Sequence, residues 1–289
     1  MKYYKIGIYE KAIPEEYSLI EMLRLGKDSG YDFFEISIDR TENRINRLFD
    51  KVFQDELANA ITYTGFHVQS MCLSALGTYT LGNDDTANEK RALDIFEHAI
   101  DFAEKFGLRI VQIPACDVPK AGNHTNETDG RFIKNLRKMI EYASAKSVII
   151  GVENMEDEYM DNVEKCMRLI HEINSPYFQL YSDAGNITSA SKKYGTDPLE
   201  DFYFGNNHHI AFHLKETRPN KYGGLFYGDG HVNFQSLVSA AWKQGVRRFV
   251  LEYWYTGNWE WKTDLVKARQ LCDGWLQKAI NERNNHESI

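Results

Sequence analysis

Eight short runs of apolar, β-branched and aromatic residues are spaced along the whole chain. They are YYKIGIY (3–9), FFEISID (33–39), VQSMCLS (68–74), IVQIPA (110–115), VIIGVEN (148–154), YFQLYSD (177–183), IAFHLKE (210–216) and FVLEYW (249–254). Most are continuous rather than alternating, the pattern of parallel strands buried on both faces. Between them lie segments with helical spacing: 14–30, which opens with Pro14 and two acids, then 87–107, 131–146, 161–174, 233–245 and 261–280. Gly30, Gly65, Gly107 and Gly245 each end a helical pattern shortly before a strand, where a left-handed C-cap feeds a short loop. The helical pattern is weakest at about 45–64 and after the sixth strand, where DPLEDFYFGNN (197–207) is short. Eight alternations without a linker predict an α/β chain folded as one (β/α)8 TIM barrel domain over 1–289. An open doubly wound sheet is the competing topology, and eight units favour closure.

Hydrophobic residues make up 43% of the chain, enough for a sizeable core. The net charge of −8 argues against a nucleic-acid partner, because duplex binding is driven by Lys and Arg neutralising phosphates. It leaves room for a small anionic substrate. No stretch approaches the roughly 18 apolar residues of a membrane span, and MKYYKIGIYEK lacks the apolar run of a signal peptide. Cys72, Cys116, Cys166 and Cys272 form no CxxC pair and read as thiols of a reducing compartment. A cytoplasmic location is expected.

In a barrel of this kind the active site lies at the C-terminal strand ends. The fifth run ends in Glu153 and the sixth in Asp183, while the seventh carries His213 and the eighth Glu252, at intervals of 30, 30 and 39 residues. Four consecutive strands thus present one ligand-capable side chain apiece. Burying an unpaired carboxylate costs several kcal/mol, and three converging carboxylates repel unless a cation sits among them. One divalent metal ion resolves this, with Mn²⁺ first and Zn²⁺, Co²⁺ or Mg²⁺ as alternatives; the absence of sulfur removes a structural-zinc reading. Any one of these residues alone reads more often as a strand-capping polar group or a partner of a lysine; together the balance reverses, and Lys215 can neutralise one carboxylate but not three.

At these residues the chain resembles the xylose-isomerase-like barrels, and most closely the L-ribulose-5-phosphate (L-xylulose-5-phosphate) 3-epimerases of ascorbate catabolism. The matching pieces are GIYEKA (7–12), FFEISIDRTENRINRL (33–48), MCLSA (71–75), FQLYSDAGN (178–186), AFHLKETRP (211–219) and LEYW (251–254). The resemblance implies a metal on Glu153, Asp183, His213 and Glu252, with Glu153 and Glu252 also the catalytic acid and base. It implies a pentulose 5-phosphate substrate, deprotonated at C3 to a cis-enediolate and reprotonated from the opposite face, and a homodimer. One departure stands out: the family carries a basic His-Arg-Arg stretch after MCLSA, where this chain has LGTYT (76–80). Lys215, Arg218 and Lys221, with the backbone of GDG (228–230), are the replacement phosphate donors this reading offers.

Further candidate substrate contacts are Glu10, Glu35, Glu156 or Asp157, Asn186 and Trp254, each also readable as an ion-pair, turn or packing residue. His67, His98, His124 and His171 read as surface residues, and His208–His209 lie at the far end of the barrel. An epimerase of unphosphorylated ketoses or an aldose–ketose isomerase would use the same ligands. An AP endonuclease would need further histidines and a basic DNA face, and a non-catalytic sugar-binding barrel would not need both glutamates.

Overall fold

The computed structural model describes residues 3–120 and 122–286. Its strands are β1 (Lys5–Tyr9), β2 (Phe33–Ser37), β3 (Val68–Cys72), β4 (Ile110–Pro114), β5 (Ile149–Glu153), β6 (Phe178–Asp183), β7 (His209–Leu214) and β8 (Arg248–Leu251). Each pairs in parallel with the next, and β8 returns to β1, with Gly7 beside Val250. The barrel is closed, as the alternation predicts, and the open sheet is excluded. Around it run α1 (Leu19–Asp28), α2 (Glu42–Asn46), α3 (Lys51–Thr64), α4 (Thr86–Phe106) and α5 (Asn126–Ala145). The wrap continues with α6 (Val163–Ile173), α7 (Ala184–Tyr194), α8 (Pro198–Phe204), α9 (Phe234–Lys243) and α10 (Trp261–His286).

Strand side chains alternate between the two faces of the sheet. The outward set, including Ile6, Ile8, Ile36, Val111, Ile150, Val152 and Phe212, packs under the helices in one continuous core. Each such side chain contributes about 1.5–3 kcal/mol by leaving water. The inward set is separate: Tyr9, Phe33, Cys72, Ile110, Tyr181, Ala211 and Val250 fill the barrel lumen. Two glycines make room there. A Cβ on Gly7 would lie 2.4 Å from the Phe33 ring, and one on Gly151 would lie 2.7 Å from the Cβ of Tyr181. Gly151, Tyr181, Ala211 and Val250 stand two positions before Glu153, Asp183, His213 and Glu252. The same period-two alternation therefore turns those four into the lumen one layer higher, towards the C-terminal mouth.

The four glycines expected to stop helices all have positive φ, between 62° and 88°. Three helical expectations change. The first helix begins not at Pro14 but after Ser18, whose hydroxyl accepts from the Glu21 N–H while the Glu21 carboxylate accepts from the Ser18 N–H. The 45–64 pattern divides into α2 and α3, because the Asp50 carboxylate caps Val52 and starts a new helix. After β6 the chain forms two helices where one short one was visible. The missed helix, α7, starts directly on Asp183, and its sequence AGNITSASKKY is poor in strong helix formers. Burial of Ile187 and Ala190 together with the Asp183 cap holds it. No helix of the described residues is long and apolar enough to cross a membrane.

Candidate active site

Asp183, the last residue of β6, lies directly across from His213 of β7. Glu153 ends β5, and Glu252 follows β8 with its N–H on the Leu214 carbonyl. One ligand atom from each of the four lies within 4.8 Å of the others, and all four residues are buried. His213 Nδ1 faces Glu153 Oε1 at 3.0 Å and Glu252 Oε2 at 3.1 Å. Nδ1 is hydrogen-bonded with Glu153, while Glu252 Oε2 and the buried Asp183 Oδ2 have no hydrogen-bond partner among the described residues. The other Asp183 oxygen accepts from the Asn186 N–H at 2.7 Å and caps α7.

Lys215 enters the same space, with Nζ 3.3 Å from Asp183 Oδ1 and 4.0 Å from Glu252 Oε2. Three carboxylates facing one ammonium leave two uncompensated negative charges, the charge of one divalent cation. Burial raises the Glu153 carboxyl above its ordinary range, with Glu252 adding to it and His213 opposing. Burial likewise pushes Asp183 up to about 8 against the pull of Lys215. Glu252 goes the other way: burial disfavours its charge, but Lys215 and His213 prevail and hold it at about 2. A cluster whose acids cannot all ionise among themselves, with two orphaned oxygens and an inward-facing imidazole nitrogen, has the donors that a divalent ion needs. Three hard oxygens and one nitrogen fit Mn²⁺, Mg²⁺, Co²⁺ or Zn²⁺.

Around the cluster lies a set of buried supports. Glu35 Oε1 sits 2.6 Å from His213 Nε2, leaving Nδ1 to face the carboxylates; burial is the strongest influence and disfavours the imidazolium, but Glu35, Tyr181, Glu252 and Glu153 together outweigh it. Glu35 Oε2 in turn accepts from the Ser70 and Tyr181 hydroxyls, both at 2.6 Å. Gln112 of β4 donates to Glu153 Oε2 at 2.6 Å. Asn154 accepts from the Asp183 N–H at 2.9 Å. Outer hydrogen bonds of this kind orient a metal-binding imidazole and raise its basicity. Glu35→Gln is accordingly expected to weaken Mn²⁺ affinity about 10- to 100-fold, measured by calorimetric titration. Unchanged affinity would remove Glu35 from the site.

The other candidate contacts separate in the structure. Glu35 is fully buried behind His213, which it supports. The Glu10 carboxylate is held by Arg44 at 2.9 Å, Arg47 at 2.7 Å and the Ser37 N–H, so it ties β1 to the loop after β2. Asn186 is buried, donating to the Asn154 carbonyl at 2.8 Å, while its Oδ1 is unpartnered. Arg218 is exposed on a small hairpin that it closes with Lys221. In GDG, the Gly228 N–H is already taken by Glu216 at 3.0 Å. Of the donors expected after β7, Lys215 is thus directed at the carboxylates and the Gly228 N–H at Glu216, while the Arg218 side chain has no partner among the described residues. Trp254 is half-buried with its ring edge-on to Tyr9, at the flank of the mouth. Glu156 and Asp157 line a cavity of about 510 Å³ over the mouth, together with residues of the loops after β1 to β4. His124 is more than a surface residue, since it bridges Asp117 and Asp157 through its two nitrogens.

Gln112, Ser70, Tyr181 and Asn154 escaped the sequence reading. Their one visible signal is a polar residue inside a strand run, as in IVQIPA, and that signal does not say which way the side chain points.

A closed parallel barrel whose C-terminal mouth gathers three carboxylates and an imidazole defines a class of barrels built to hold a metal ion at the substrate. The chain belongs to the xylose isomerase-like TIM barrel family, whose sequence model matches residues 23–278. The resemblance drawn from the motifs is thereby borne out. L-ribulose-5-phosphate 3-epimerase UlaE of Shigella sonnei (strain Ss046) is 34% identical over 276 residues, 95% of each chain, and the same enzyme of Escherichia coli (strain SE11) is also 34% identical over that length. Among solved structures, an L-ribulose 3-epimerase superposes with a TM-score of 0.77 at 18% identity over 97% of each chain. The IOLI protein with a bound zinc atom superposes with a TM-score of 0.73 at 16% identity, over 96% of this chain and 98% of that one. At such identities these structures speak for the fold alone.

Proposed function

We propose that the chain is a divalent-metal-dependent 3-epimerase that interconverts L-xylulose 5-phosphate and L-ribulose 5-phosphate by moving a proton at C3. The observation that carries this is the convergence of Glu153 and Glu252 on one point. They come from β5 and β8, strands that are not neighbours, yet their oxygens lie 3.0 and 3.1 Å from the same imidazole nitrogen. Two carboxylates approaching one centre from different strands are what inversion needs, because one must remove the proton and the other return it on the opposite face. The relatives at 34% identity across 95% of the chain support the same chemistry.

In this reading Glu153, Asp183, His213 and Glu252 hold the ion, Mn²⁺ being the fit for three hard oxygens and one imidazole. When bound, it polarises the C2 carbonyl and so acidifies the C3–H. Glu252, kept ionised by Lys215 and His213, accepts the C3 proton in one direction. Glu153, held by Gln112 and His213 and protonated at the start of that direction, delivers its proton to the other face. The roles exchange in reverse. Lys215 holds Glu252 ionised and opposes the burial that raises Asp183, and Gln112 fixes the plane of the Glu153 carboxylate. The reading extends to one barrel domain over 1–289, a homodimer and a cytoplasmic enzyme, the last in keeping with the free thiols of Cys72, Cys116 and Cys166.

The test offers L-xylulose 5-phosphate and free L-xylulose to the chelator-treated enzyme, with and without Mn²⁺. The expected result is Mn²⁺-dependent appearance of the C3 epimer of the phosphorylated sugar. An aldose product, or equal turnover of the free ketose, would sink the substrate assignment in favour of an isomerase or an epimerase of unphosphorylated ketoses.

A further inference from the structure

The cavity over the mouth is bounded by the loops after β1 to β5, the half of the rim opposite β6 to β8. Its volume of about 510 Å³ falls within the range of small-molecule sites, about 300–1,000 Å³. Every acid that lines it already has a basic partner. Asp39 is paired with Lys11 at 2.6 Å, Glu156 with Lys120 at 3.2 Å, and Asp157 with His124 at 2.9 Å. One lining cation has no such partner: Arg40 makes no hydrogen bond or ion pair among the described residues, and its side chain is exposed at the rim. The hydroxyls of Ser74 and Thr78, which line the same cavity from the loop after β3, are likewise without a protein partner among the described residues.

We propose that Arg40, with Ser74 and Thr78, forms the subsite for the phosphate of the sugar phosphate. A guanidinium presents a planar fork of donors that matches two oxygens of a phosphate dianion, and the two hydroxyls can donate to the third. The subsite lies within reach of the reacting carbon. Met155 and Glu156 line the cavity only two and three residues beyond Glu153, about 7 Å of extended chain. Phosphorus stands four bonds from C3 in a pentulose 5-phosphate. In this arrangement a sugar whose C3 lies between Glu153 and Glu252 extends its phosphate into the cavity, towards the loops after β2 and β3. This also accounts for LGTYT in place of a basic stretch after β3: the loop supplies hydroxyls, and the positive charge comes from the next loop along the rim. The inference rests on the sugar-phosphate reading above and names the residues that recognise it.

The test compares kcat and KM for L-xylulose 5-phosphate and for free L-xylulose in the Mn²⁺-loaded wild type, Arg40→Ala and Arg40→Lys. It adds the inhibition constant of inorganic phosphate for each. Loss of a charge-assisted fork predicts that the preference for the phosphorylated sugar falls about 10- to 100-fold in Arg40→Ala, through KM and not kcat. The phosphate inhibition constant should rise by a similar factor, and Arg40→Lys should recover part of both. If the wild type prefers the phosphorylated sugar and Arg40→Ala keeps both that preference and its phosphate inhibition, this subsite is wrong while the proposed function stands. If the wild type shows no preference for the phosphorylated sugar, both fall.

Discussion

Glu153→Gln and Glu252→Gln are each expected to slow epimerisation by about 10³- to 10⁴-fold, and to differ in which sugar still exchanges its C3 proton with solvent. Each change keeps the shape of the side chain and an oxygen that faces the cluster but removes a charge from the ion site, so at saturating Mn²⁺ the remaining loss is that of a proton carrier. With Glu252 replaced, Glu153 still faces one side of the sugar and still exchanges the epimer whose C3–H points to it. With Glu153 replaced, the surviving exchange belongs to the other epimer. The measurement is deuterium incorporation at C3 in heavy water, for both epimers and both variants, with metal content checked for each. Loss of exchange in both epimers by both variants, at full metal content, would contradict an acid and a base on opposite faces. The pair that holds Glu153, the Gln112 amide at 2.6 Å and His213 at 3.0 Å, keeps the substituted side chain in place.

Asp183→Asn is expected to lower Mn²⁺ affinity about 100- to 1,000-fold, since one full charge is removed at a short distance in a partly dry site. Asparagine still caps α7, because its side-chain oxygen accepts from the Asn186 N–H as Asp183 Oδ1 does now. The metal-free protein should respond in the opposite sense. Burial raises Asp183 to about 8, above its unfolded value. The folded state therefore binds more protons than the unfolded chain, and stability falls as pH rises towards 8. An asparagine cannot ionise, so metal-free Asp183→Asn should melt above metal-free wild type at pH 8, with the gap closing as pH drops towards 4. Saturating Mn²⁺ reverses the order, because only the wild type gains the full binding energy. A metal-free variant that melts below the wild type at every pH would show that Asp183 serves the fold and not an ion. Calorimetric titration with Mn²⁺ and melting curves at several pH values measure both halves.

The barrel was legible because its signals are local. A strand buried on both faces is a continuous apolar run, and a helix stopped by Gly65 or Gly107 carries its stop in its own residues. The same locality hid α7. Its start depends on a cap, Asp183, that in sequence reads only as the end of a strand, and its interior has little helical propensity. The four central residues were legible for a related reason. They stand at matching heights on four successive strands, and a carboxylate at the end of an apolar run needs a partner wherever the run is placed.

Sequence alone, then, determined the alternation of strands and helices, the height of Glu153, Asp183, His213 and Glu252, and the family to which the chain belongs. Tertiary structure decided what each polar residue faces. Glu35 and His213 are 178 residues apart and meet only because β2 and β7 share one lumen. Lys215 looked like a phosphate donor and is directed at Asp183, while Glu10 looked like a sugar contact and is spent on Arg44 and Arg47. Arg40, which the sequence did not single out, lines the cavity with no partner among the described residues. The reason is the same each time. Periodicity fixes which face a residue takes, but which charges neutralise one another depends on distances that closure of the barrel sets.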